Sequence, residues 1–78
     1  MISLDQAKGL QYGDTVYHSI QRYSDGSPCR WVVNGGVKTW RMQANRVKVP
    51  IKFGLHSFSY LTENNLPLFC MTAMEVSR

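Results

Sequence analysis

The sequence predicts a small, mostly β domain: a five-stranded SH3-like barrel with a short N-terminal helix and a 3-10 turn before the last strand. Three observations predict it. The chain has 78 residues, 44% of them hydrophobic and 18% charged, which leaves room for one domain with a thin core. Runs rich in β-branched and aromatic residues recur along it, and most of them alternate apolar with polar side chains. Clusters of Gly, Pro, Asn and Asp punctuate those runs at short intervals. An OB-like barrel is the next alternative, although the chain is short for one.

Ser3-Leu4-Asp5-Gln6 has the spacing of a capping box, a hydroxyl at the N-cap with Gln three residues on, and predicts a helix over 4–10 with Leu4, Ala7, Lys8 and Leu10 along one stripe. The barrel spans 14–71. In its first strand Val16, His18 and Ile20 share one face and Tyr17, Ser19 and Gln21 the other. Ser24-Asp25-Gly26-Ser27-Pro28 is a turn.

Arg30–Val33 and Val37–Trp40 read as the two arms of a hairpin around Asn34-Gly35-Gly36. With Gly35-Gly36 as the loop, Trp31 faces Trp40 and Arg30 faces Arg41; with Asn34-Gly35, Trp31 faces Lys38. Both registers are open. Val47, Val49 and Ile51 then alternate with Arg46, Lys48, Pro50 and Lys52. Pro50 lacks a ladder donor, so this strand is expected at an edge or bent at that residue. A kink at Phe53-Gly54-Leu55 leads to a strand over 56–61 with Phe58 and Tyr60 on one side. Thr62–Leu66 reads as one 3-10 turn, capped by Thr62 and stopped by Pro67. Leu68–Met71 closes the barrel, and 72–78 is expected to be a flexible tail.

The net charge is +4, and it is unevenly placed. Between residues 22 and 52 seven Lys and Arg stand against Asp25 alone, a concentration that favours an anionic partner, nucleic acid first. Arg30, Lys38, Arg41, Arg46, Lys48 and Lys52 are the candidate phosphate contacts, with Trp31, Trp40 or Tyr23 as candidate stacking surfaces. In a thin core, a tryptophan is also a natural filler. A basic surface that serves solubility alone is the plain counterpart of the same pattern.

Catalysis is not expected. Asp14, His18, His56, Ser57, Cys29 and Cys70 form no recognisable nucleophile, base and orienting set. Two His and two Cys match the count of a zinc site, but His18, Cys29, His56 and Cys70 are scattered without a short ligand pair. No metal, cofactor or small-molecule substrate is predicted. The N-terminus lacks the basic-then-apolar layout of a secretory signal, and no apolar run approaches roughly 18 residues. An intracellular protein with two reduced thiols and no membrane contact is therefore expected.

Several motifs together resemble those of a group of small accessory proteins of tailed bacteriophages and prophages. They are Gly13-Asp14 with Val16-Tyr17-His18, Asp25-Gly26 with Pro28, Arg30-Trp31, Val33-Asn34-Gly35, Val37-Lys38-Thr39-Trp40, Arg46-Val47, Val49-Pro50, Pro50-Ile51-Lys52-Phe53-Gly54-Leu55 and Leu61-Thr62-Glu63 with Asn65-Leu66. The chain departs from that group at Phe53 and Met42, where its members more often carry His and a basic residue. The resemblance implies an accessory protein in the bacterial host cytoplasm. Two binding roles are then expected: contact with nucleic acid through the basic surface, or capture of a host protein as an anti-defence or host-takeover factor.

Overall fold

The computed structural model describes residues 1–76. Ser3 caps helix α1 (Leu4–Lys8) with the reciprocal capping box its sequence carries: Gln6 N–H donates to Ser3 Oγ, and Ser3 N–H donates to Gln6 Oε1. The helix ends at Lys8, two residues before the expected limit, with Gly9 as its C-cap, and lays buried Ala7 towards the core, with Leu10 buried just beyond.

Six strands follow: β1 (Thr15–Arg22), β2 (Pro28–Val33), β3 (Lys38–Trp40), β4 (Gln43–Phe53), β5 (Ser57–Thr62) and β6 (Phe69–Cys70). They form one antiparallel sheet in the order β3-β4-β2-β1-β6, with β5 on the other edge of β4. The fold is thus mostly β, as predicted, but with six strands rather than five. Nor do hydrogen bonds close it into a barrel: among the described residues β6 pairs with β1 and not with β3 or β5.

The hairpin expected around Asn34-Gly35-Gly36 is not formed, in either register. β2 and β3 do not pair with each other; both line up along one edge of β4, with Val33 opposite Ile51 and Lys38 opposite Lys48. The connection between them crosses β4 at Pro50, whose carbonyl accepts Asn34 N–H (2.8 Å). A strand residue directs its N–H and C=O to the same side, so the missing proline donor falls at the gap between β2 and β3. β4 is therefore a central strand, and the expected edge position of Pro50 is corrected by this gap. Gly35 is needed for close approach: a Cβ there would sit 3.0 Å from Pro50 Cγ. Its φ is not positive, unlike a residue of a two-residue hairpin turn.

The true hairpins flank β4. Arg41-Met42 join β3 to β4, and residues 54–56, with Gly54 at φ 67°, join β4 to β5. The inner face of β4 carries Val47, Val49 and Ile51, all buried with Val16 of β1, Val33 of β2 and Leu61 of β5, and Ile2, Ala7, Leu10, Leu66 and Phe69 complete the core.

Two local expectations are corrected. Ile20 is 69% exposed and does not share the inward face of Val16, because β1 loses regular pairing between Tyr17 and Arg22. There the N–H groups of Ile20 and Gln21 both donate to His18 Nδ1 at 3.0 Å, which turns the strand. The 3-10 helix lies at Leu66–Leu68, later than expected, with Pro67 inside its first turn, where a missing N–H costs nothing. Residues 62–65 instead form turns in which Thr62 N–H donates to Asn65 Oδ1 (2.7 Å) and Asn64 N–H to Thr62 Oγ1. Of the expected tail, Ala73–Val76 makes a single helical turn, α2, packed on β1 and β6; residues 77 and 78 lie outside the described residues.

Candidate nucleic-acid interface

Side chains alternate across a strand, so the burial of Val47, Val49 and Ile51 turns Arg46, Lys48, Pro50 and Lys52 to the opposite face of β4. Register extends that face to both neighbours. Lys48 lies between Lys38 of β3 and Thr62 of β5, Pro50 opposite Tyr60, and Lys52 opposite Phe58. Trp40 joins it from the end of β3. Residues 26–62 contain no Asp or Glu.

The cations and rings on this face are in contact. The Arg46 guanidinium lies 3.9 Å from the centre of the Trp40 ring, Lys38 Nζ 5.4 Å from the same ring, and Lys48 Nζ 4.2 Å from the Tyr60 ring. Like charges directly opposite on antiparallel strands repel, and Lys38 and Lys48 form such a pair. Each ammonium leans on a ring on its own side. Contacts of this kind contribute about 0.5–1 kcal/mol at exposed sites, so they relieve the repulsion in part.

Arg46 is the most constrained of the cations. Besides stacking on Trp40, it donates to Gln43 Oε1 (2.9 Å) and pairs with Glu63 at 3.5 Å. Three extra β4 residues are accommodated between the Thr39–Val47 and Trp40–Gln43 pairs, and this bulge brings Arg46 back beside Trp40. Glu63 secures the bulge from the other side by accepting Val47 N–H (3.2 Å). Hydrogen bonds from its own backbone N–H and that of Val47, with the nearby Arg46 charge, hold the Glu63 carboxyl below the usual carboxylate range. Lys8 donates to the Ala44 carbonyl and ties α1 to the bulge.

The structure therefore brings together Lys38, Trp40, Arg46, Lys48 and Lys52 of the sequence candidates. Arg41 sits at the tip of the β3–β4 hairpin. Arg30 and Trp31 are elsewhere. Arg30 is exposed on β2 beside an open depression of about 270 Å³ lined also by Tyr17, Tyr23, Ser27, Pro28 and Ala73. Trp31 is half-buried against the core, 5.4 Å from Phe53 and 6.2 Å from Phe69 between ring centres. Its indole Nε1 is buried without a hydrogen-bond partner.

The face holds two rings that charge clustering did not point to, Phe58 and Tyr60, at 65% and 50% exposure. Their signal in the sequence is the alternation Phe58-Ser59-Tyr60-Leu61-Thr62: once Leu61 is assigned inward, both rings face outward beside Lys48 and Lys52.

Elsewhere, Cys29 and Cys70 are free and buried. Among the described residues no three His, Cys, Asp or Glu side chains come together as a metal site, and no helix is long and apolar enough to cross a membrane. No protein-family model, curated protein or solved structure matches the chain.

Proposed function

We propose that this chain is a non-enzymatic binding module whose outer β3-β4-β5 face contacts nucleic acid. The observation that carries the proposal is the opposed pair Lys38 and Lys48, set among Lys52, Arg46 and exposed rings, with Glu63 engaged by Arg46. Such a pairing costs stability in the free protein, and an anion laid across the face relieves it. The path β5-β4-β2-β1-β6, with a 3-10 turn before the last strand, supports describing the scaffold as SH3-like. The setting, an accessory protein of a tailed phage or prophage acting in the bacterial host cytoplasm, rests on the sequence motifs alone.

Binding of labelled 20-nucleotide DNA and RNA, measured by fluorescence anisotropy, tests the proposal. Affinity should fall steeply between 50 and 200 mM salt as counterions are released. Lys48→Glu should weaken it more than Arg41→Glu, because Lys48 is central and Arg41 lies at a hairpin tip. Absence of binding at 50 mM salt overturns it.

A host-protein partner is the second reading, and the open depression beside Arg30, with Tyr17 and Tyr23 at its wall, is the feature that favours it. Retention of one bacterial protein on the immobilised chain after nuclease treatment, lost on Arg30→Glu but kept on Lys48→Glu, would support that reading against the first.

A further inference from the structure

We infer that the nucleic acid recognised by this face is single-stranded, with bases stacked on Tyr60 and Phe58 and the backbone held by Lys48 and Lys52. The inference rests on the nucleic-acid reading above and specifies its ligand. Phe58 and Tyr60 are two residues apart on β5, so their attachment points are separated by about 6.6 Å along the strand. Successive bases in a duplex rise by about 3.4 Å. Neighbouring bases of a stacked helix do not meet both rings, whereas an opened and extended strand presents one base to each. A duplex also hides its base faces, so two rings standing out from a sheet have nothing to stack on there.

Lys52 stands directly across from Phe58 and Pro50 across from Tyr60, while Lys48, one step beyond Pro50 on the same face, reaches its ammonium over the Tyr60 ring. Tyr60 thus has an ammonium over its ring and Phe58 a lysine across from it on the neighbouring strand, an arrangement that offers each stacked base a cation for its phosphate. The Lys48 ammonium resting 4.2 Å over Tyr60 occupies the place of a base in the free protein. Base stacking on an aromatic ring outweighs an exposed ammonium–ring contact, so a base displaces Lys48 towards the adjoining phosphate. The Trp40 end differs: Arg46 already covers that ring and is neutralised by Glu63. Trp40 therefore bounds the platform, and Tyr60 and Phe58 form it.

Fluorescence anisotropy at 50 mM salt with 12-nucleotide oligo(dT), oligo(rU) and a 12-base-pair duplex tests the inference on the full chain. At least one single strand should bind ten times or more tighter than the duplex, and the tighter of the two identifies the sugar preferred. Tyr60→Ala and Phe58→Ala should each weaken single-strand binding by about 5- to 100-fold and leave duplex binding within twofold. Phe58→Leu keeps an apolar side chain without a ring and should behave like Phe58→Ala, with far-UV circular dichroism showing an unchanged fold. Duplex binding equal to or tighter than that of both single strands, or equal losses on both ligands in the ring variants, overturns the inference and leaves the nucleic-acid reading standing. Failure to bind any of the three ligands overturns both.

Discussion

Replacing Gly35 by Ala probes the crossing of the β2–β3 connection over β4. The added methyl would lie 3.0 Å from Pro50 Cγ and 3.5 Å from Pro50 Cβ, against an optimal carbon–carbon separation of about 3.5–4.0 Å. The proline ring must therefore give by several tenths of an ångström. Overpacking of this size costs about 1–3 kcal/mol, offset by about 0.4–1 kcal/mol from the reduced freedom of the unfolded chain. The net expectation is a loss of about 1 kcal/mol, or about 4–8 °C in Tm for a domain of this size. In a Pro50→Ala background the ring is gone, and Gly35→Ala should become neutral or stabilising. Urea denaturation of the four proteins closes the double-mutant cycle, with a coupling of about 1–2 kcal/mol expected. A hairpin turn with positive φ at residue 35 would penalise Ala whatever stands at residue 50. Equal cost of Gly35→Ala in both backgrounds would therefore refute the crossing.

Three further outcomes are expected. Trp31→Phe should cost less than about 1 kcal/mol in urea denaturation, because the lost volume is offset by removal of an indole N–H that is buried without a partner. A larger loss would mean that the N–H is satisfied. Glu63→Gln keeps an acceptor for Val47 N–H and removes the charge that neutralises Arg46; it should tighten nucleic-acid binding roughly 2- to 5-fold at low salt. That gain should shrink with added salt, and a loss of affinity would show that Glu63 serves the interface only by positioning Arg46. Burial lowers the His18 pKa below its ordinary value, and its Nδ1 accepts two N–H groups only when unprotonated. The contribution of His18 is therefore complete above the unfolded pKa, about 6.5, and declines as the pH falls from there towards the lower folded value. His18→Gln should flatten the thermal stability profile between pH 7 and 5, and an unchanged slope would count against the role of that side chain.

Alternation and capping were legible in the sequence; pairing over distance was not. The capping box of α1, the inward set Val47, Val49 and Ile51, and the turn at Gly54 each depend on neighbours within a few residues. The relation of β2 to β3 does not. Asn-Gly-Gly between two β-rich runs satisfies the local chemistry of a tight turn, but it also suits a backbone that must pass close over a proline ring. Only the position of β4, brought in by contacts ten or more residues away, separates the two. Clustered charge led to Lys38, Lys48 and Lys52, but pointed equally to Arg30, because linear proximity says nothing about which edge of β4 a strand joins. It passed over Phe58 and Tyr60, which carry no charge and follow the basic segment in sequence.

The division of labour within β4 explains how a core this small coexists with a self-repelling face. Val47, Val49 and Ile51 belong to the core of a strand that contacts four elements, β2, β3, β5 and α1. Their burial leaves Arg46, Lys48, Pro50 and Lys52 with no packing task on the inner side. Lys48 and Lys52 can then be kept for a partner at the modest cost of surface repulsion, because exposed charges in water interact weakly. Arg46 is the exception, since its contacts with Trp40, Gln43 and Glu63 help to hold the bulge that interrupts the β3 pairing. Substitutions on the face should accordingly separate into two kinds. Those at Lys38, Lys48, Lys52, Phe58 and Tyr60 change binding and leave the fold intact. Those at Arg46 and Glu63 change both, because the same guanidinium and carboxylate that shape the face also fix the strand beneath it.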